Sequence, residues 1–267
     1  MDCWNPDTFD EELRQLFHRY SEVIQCYFRE DKRLMDEHLK SNPYESLKPN
    51  QHNAQYNRIL EHILTPAFFD RSIRVWHYTR LLDYEVISIM QKIIPSTITS
   101  LNDRLNTLVK NKFLTRDEAN IIIKESPFQS QENIRSNRFW SVTIPLSPEN
   151  CGVKPLLESW GGESAYFWLS DEMTVNKLKK IGSPCIVEVE TQLRDNLNAY
   201  SVAVTASKAW AVTLGEDVSI DGTDLAITGC IETADVLKVH TVKDEIFNEI
   251  GKTYPSGCGE ILGTGPR

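Results

Sequence analysis

The sequence predicts an α+β fold, a core of mixed or antiparallel strands in a split sheet with N-terminal helices over one side. Two observations carry this. Apolar residues recur at three- and four-residue steps through much of the first half, whereas after about residue 137 short β-like runs alternate with turns. No GxGxxG or GxxxxGK[ST] segment follows a strand-like run, which argues against a doubly wound sheet with a standard dinucleotide or P-loop site.

The elements follow in order. Phe9, Leu13, Leu16, Phe17, Tyr20, Val23 and Ile24 form one apolar stripe, predicting a helix over 8–35 that Asp7 or Thr8 would cap. Lys40 to Asn53 is rich in Asn, Pro, Ser and Gln and reads as a loop. A second helix is expected from Asn57 to Leu64, stopped near Pro66. Residues 1–70 therefore read as a helical arm or cap, and 71–267 as an α+β catalytic or binding domain. Arg74 to Thr79 favours extended backbone. Helices are expected over Asp83–Met90, Ser100–Lys110 and Asp117–Lys124, the last with Thr115 and Glu118 as a capping box. Strands are expected at Phe139–Ile144, Tyr166–Leu169, Cys185–Val189, Tyr200–Val204, Ala209–Thr213 and Val236–Thr241. A short helix is expected over Met173–Ile181, ending at Gly182.

Composition bounds the function. A chain of 267 residues can bury a core without metal or disulfide support. Its net charge of -9 argues against general nucleic-acid binding, which needs many Lys and Arg to displace counterions. Six scattered cysteines show no CxxC pair and no zinc-finger spacing, and Cys185 and Cys230 lie in apolar runs as small hydrophobes. No apolar run reaches the length that spans a membrane. These features predict a cytoplasmic protein with no membrane partner.

Two patches bear chemistry. In Trp76-His77-Tyr78-Thr79-Arg80-Leu81, strand alternation sends His77 and Thr79 to one face and Trp76, Tyr78 and Arg80 to the other. His77 facing a cleft would bond a ribose hydroxyl or act as a base. Tyr78 would stack on a flat ring, and Arg80 would pair with a phosphate. In Trp160-Gly161-Gly162-Glu163, the glycines permit unusual backbone geometry, and Glu163 would stabilise an oxocarbenium-like centre or take a proton from an attacking hydroxyl. Ordinary structure is the competing account of each: a core histidine, a salt-bridged arginine, a first-turn glutamate. Glu188 and Glu190 read as the wet face of a strand, and Glu232 as a reserve acid. Arg135 and Arg138 flank a strand and would hold a diphosphate or be solvated. A Cys185–His240 dyad has no local support.

The His77–Leu81 element, the Trp160–Glu163 element with Tyr166, and Gly182-Ser183-Pro184-Cys185-Ile186-Val187-Glu188 together resemble an uncharacterised bacterial family over roughly residues 74 to 240. More distantly, the opening strand and helix resemble ADP-ribosyltransferase-like folds. That resemblance implies NAD as substrate. It implies a ribose-orienting role for His77, an aromatic role for Tyr166 or Tyr78, and a catalytic role for Glu163. Thr79, Arg80 and Arg138 would complete the binding surface. The catalytic glutamate of such folds usually opens a late strand, which keeps Glu188 and Glu232 as alternatives to Glu163. The expected activity is ADP-ribosyl transfer to a protein or nucleic-acid acceptor, or to water as an NAD glycohydrolase, a chemistry used by toxin and defence proteins. The alternative is a non-catalytic nucleotide- or protein-binding module.

Overall fold

The computed structural model describes residues 1–40, 48–193, 196–229, 231–232 and 235–261. The chain runs α1 (Glu11–Arg19), α2 (Ser21–Lys40), α3 (Asn53–Ile59), a π-helical turn (Leu60–Leu64), α4 (Thr65–Phe68), β1 (Ser72–Leu81), α5 (Asp83–Gln91), β2 (Lys92–Ile93), α6 (Ile98–Lys110), α7 (Arg116–Glu125), α8 (Phe128–Arg135) and β3 (Arg138–Val142). It continues with α9 (Lys154–Glu158), α10 (Glu163–Tyr166), α11 (Glu172–Leu178), β4 (Ser183–Gln192), α12 (Asn196–Thr213), β5 (Asp224–Thr228), β6 (Ile231–Glu232), β7 (Val236–Thr241), a 3-10 turn (Glu245–Glu249) and α13 (Cys258–Ile261).

Five strands form an antiparallel sheet in the order β5-β3-β1-β4-β7, and β2 pairs with β6 in a separate ribbon. The central strand β1 is joined unequally to its neighbours. Its ladder with β4 runs unbroken from Ser72↔Gln192 to Leu81↔Ser183, whereas Trp76↔Val142 is its one registered pair with β3. Beyond that pair β1 and β3 part, and β3 continues against β5 from Val142↔Asp224 to Arg138↔Thr228.

Both faces of β1 are covered. On one, Ile73 and Val75 join Phe9, Phe17, Leu64, Phe68 and Trp210 in a core shared with the N-terminal helices and α12. On the other, Trp76 and Tyr78 pack with Trp4, Ile144, Leu157 and Phe247. A third cluster around Leu105, Leu108, Ile122, Trp160 and Leu178 gathers α6, α7 and α11. Residues 1–40 and 48–70 thus contribute to the same core as the sheet. Burying large apolar side chains of this kind stabilises by about 1.5–3 kcal/mol each.

The capping box of Thr115 and Glu118 forms on α7. The first helix is broken at Tyr20 into α1 and α2, and Asp10 caps it through its bond from the Leu13 amide. Pro66 sits in the first turn of α4 and stops nothing, because a first-turn position needs no amide donor. The expected loop at 40–53 lies partly outside the described residues, as does Cys230.

Three strand expectations are corrected. Tyr200–Val204 and Ala209–Thr213 belong to one helix, α12. Alternating Val and Ala suggested a two-residue period, but the fully buried positions Ala199, Val202, Ala203, Ala206 and Ala209 follow helical spacing. Tyr166 ends α10, and Phe167 and Trp168 are exposed in the turn that follows, so no strand forms there. The helix α8 and the strand β5 were not expected from the sequence. β5 buries only Leu225 and Ile227, too short a pattern to stand out.

Candidate functional site

His77 stands where β1 and β3 part. Its Nδ1 lies 2.6 Å from the Trp140 carbonyl oxygen, and its ring packs 4.5 Å from the ring of Phe139. A carbonyl only accepts, so the proton is assigned to Nδ1. Burial pushes the imidazole down to about 4, against the raising effect of the Trp140 bond, and the charge of Arg104 adds to the depression. The ring is therefore neutral at pH 7, with an unprotonated Nε2. No hydrogen bond to Nε2 occurs among the described residues.

Its neighbours are committed to the fold. Tyr78 points to the opposite face, where its buried hydroxyl donates to the Leu146 carbonyl at 2.7 Å and accepts from the Leu146 amide at 2.6 Å. That clamp holds the chain after β3 against β1. Arg80 donates from Nε to the Ile181 carbonyl at 2.7 Å and from Nη1 to the Leu157 carbonyl at 3.3 Å. It has no acidic partner among the described residues, and burial lowers its pKa. Thr79 shares His77's face and is buried.

The second patch is built on a buried anchor. Trp160 is fully buried, and its indole Nε1 donates to Glu85 at 2.8 Å. Gly161 follows at φ +84, where an added Cβ would stand 2.5 Å from the Ala165 Cβ. Gly162 has φ 58 and ψ -160, a conformation that essentially only glycine adopts. The glycine pair thereby delivers Glu163 to the first turn of α10, where Arg135 Nη1 donates to its Oε2 at 2.8 Å. The Glu163 side chain remains 44% exposed, so a ligand can reach it. Tyr166, at the end of α10, is half-buried, and burial followed by the charges of Glu163 and Glu158 pushes its hydroxyl up to about 12.

The other acids differ. Glu188 was expected on the wet face of β4 but is buried: His240 Nε2 lies 2.9 Å from its Oε1, and Tyr254 donates to Oε2 at 3.3 Å. The physical reason is that both faces of β4 are covered. This also gives His240 a partner other than Cys185. Glu232 is exposed on β6 in an ion pair with Lys92 at 2.8 Å. Arg138 opens β3 and is half-buried, with no ion pair among the described residues. The sequence reading missed Asp224, whose pKa is raised by burial and by the charge of Glu163.

Asp224 shares a cross-strand row with Val142 and Trp76, so its side chain stands on the face opposite His77. Val142 pairs with Trp76 on one side and with Asp224 on the other. Two strand spacings, about 10 Å, therefore separate Asp224 from the residue before His77. Glu163 is within electrostatic reach of that row. Tyr78 and Arg80 are not brought to the same face as His77. Two grooves occur elsewhere: about 350 Å³ beside Leu16 and Arg71, and about 430 Å³ beside Glu190 and Asn198; neither includes His77 or Glu163. Among the described residues no cluster of His, Cys, Asp and Glu is suited to a metal, and no helix is long and apolar enough to cross a membrane.

Comparison with protein-family models, with curated proteins and with solved structures yields no match to this chain.

Proposed function

We propose that this protein cleaves the nicotinamide–ribose bond of NAD and transfers ADP-ribose to a protein or nucleic-acid acceptor, in the manner of ADP-ribosyltransferase-like folds. The observation that carries the reading is His77: a neutral imidazole at the parting of two antiparallel strands, with Nδ1 held by Trp140 and Nε2 left to accept from a ribose hydroxyl. Glu163, exposed and ion-paired with Arg135, would stabilise the oxocarbenium-like centre. The C–N bond breaks with its electron pair leaving on nicotinamide. The acceptor then bonds to the ribose carbon and gives its proton to Glu163. Arg138, with no ion pair among the described residues, would meet the diphosphate. With water as acceptor the same steps make an NAD glycohydrolase.

A second reading, a non-catalytic nucleotide- or protein-binding module, is favoured by the Arg135–Glu163 ion pair, which already occupies one carboxylate oxygen. Nicotinamide release from NAD separates the two. Release that falls at least a hundredfold in Glu163→Gln and tenfold or more in His77→Ala supports the enzyme. NAD binding without turnover in the wild type supports the module.

A further inference from the structure

Arg104 and Glu85 pack against Trp160, three positions before Glu163. Glu85 is buried, and its carboxylate accepts from three donors: the Leu82 amide at 2.9 Å, Trp160 Nε1 at 2.8 Å and Arg104 Nε at 2.8 Å. The Arg104 guanidinium also lies over the indole face of Trp160, 4.5 Å from the ring centroid. The three side chains come from α5, α6 and the turn before α10. Each holds the others in one arrangement: one carboxylate oxygen accepts from Arg104 Nε and the other from the indole N–H, and the stacked cation resists rotation of the indole. A buried carboxylate with three good donors is a rigid anchor, since loss of any one leaves it underpaired.

The anchor reaches both candidate residues. Trp160 is continuous with Gly161, Gly162 and Glu163, so the direction of the indole sets where the glycine turn begins. On the other side, the charge of Arg104 acts on the His77 imidazole. Nη2 of Arg104 is buried with no hydrogen-bond partner among the described residues, although the side chain as a whole is 32% exposed. An unsatisfied guanidinium nitrogen is costly, and the Nε bond to Glu85 and the stack on Trp160 offset it.

We infer that Glu85 and Arg104 are positioning residues, a strut that holds the Trp160–Glu163 turn in register with the His77 side of the site. The inference rests on the reading of His77 and Glu163 as one site. Neither residue touches substrate; both act through Trp160.

The test compares Arg104→Met, Arg104→Lys, Glu85→Gln and Trp160→Phe with the wild type in the full chain. Three readouts are taken: nicotinamide release from NAD, hydrogen exchange of the 158–168 amides, and the NMR titration of His77. The strut predicts that Arg104→Met lowers kcat at least tenfold with KM within about twofold, and speeds exchange at Gly161–Ser164 at least tenfold. It also predicts an upward move of the His77 midpoint, because a nearby positive charge is gone. Arg104→Lys should restore the His77 midpoint but only part of kcat, since it keeps the charge and loses the planar stack on Trp160 and the Nε bond to Glu85. If Arg104→Met fails to fold, Arg104→Lys and Glu85→Gln decide by the same exchange measurement. Wild-type exchange and kcat in every folded variant would overturn the strut. A wild type that releases no nicotinamide would overturn the proposed activity instead, leaving exchange and the His77 titration to judge the strut.

Discussion

Glu188 Oε1 lies 2.9 Å from Nε2 of His240, and both side chains are sealed between the sheet and the chain around Tyr254. Arg74 approaches the same carboxylate at 3.6 Å and is itself bound by Asp2 at 2.6 and 2.7 Å. An acid that sequence alternation assigns to solvent is thus the centre of a buried polar network. Removing one member of such a network strands the others. Glu188→Ala is expected to cost on the order of 3–5 kcal/mol in urea unfolding, as for other broken buried pairs. A loss below about 1 kcal/mol would contradict the network.

The same carboxylate makes stability depend on pH. Burial pushes Glu188 up, but the His240 bond, the charges of His240 and Arg74 and the Tyr254 hydroxyl outweigh it, so its pKa falls below the ordinary 4.5. A depressed acid stabilises the fold above its unfolded value, and that stability is lost as pH falls through the folded value. Unfolding free energies measured from pH 6 down to pH 3 should decline less steeply in Glu188→Gln than in wild type.

His77 titrates with the same sign through a different cause. Its folded value near 4 lies below the ordinary 6.5 because burial disfavours the cation. The unfolded chain therefore takes up the proton first as pH drops below 6.5, and stability falls between about 6.5 and 4. The ring is only partly buried, which limits the effect to about 1–2 kcal/mol, less than the full shift implies at 1.36 kcal/mol per unit. His77→Gln should flatten this part of the profile. A His77 NMR midpoint at 6 or above would refute the assignment.

Tyr78 is a clamp, and its removal should be read in stability. Tyr78→Phe leaves the Leu146 amide and carbonyl without their side-chain partner, a loss of about 2 kcal/mol. Since the ring faces away from His77, nicotinamide release per folded molecule should stay within about twofold of wild type. A large fall in kcat without a fall in stability would return Tyr78 to the ligand.

The two adjacent glycines should differ. Gly161→Ala meets the Ala165 Cβ and strained backbone together, whereas Gly162→Ala meets strained backbone with no atom within 4 Å. The expected costs are roughly 3 kcal/mol or more for the first and about 1–2 kcal/mol for the second. Urea midpoints in the reverse order would show that the turn is built differently.

Local signals carried far in this chain. The helix over 83–90, the capping box at Thr115, the strand at 236–241 and the facing of His77 against Tyr78 follow from residue spacing alone, because each depends on neighbours within a few positions. The sequence also singled out Trp160-Gly161-Gly162-Glu163, because two adjacent glycines mark backbone that other residues resist. What it could not reach was anything set by distant partners. Whether Val202 and Ala203 stand in a strand or a helix was decided by the surface they bury against, and whether Glu188 is wet or dry by the layers that close over β4. That Arg135 meets Glu163, that Glu85 holds Trp160, and that β1 and β3 part beside His77 depend on chain segments 28 to 75 positions apart, or on a sheet register. Periodicity records which face of an element is apolar; only the assembled layers determine what that face meets.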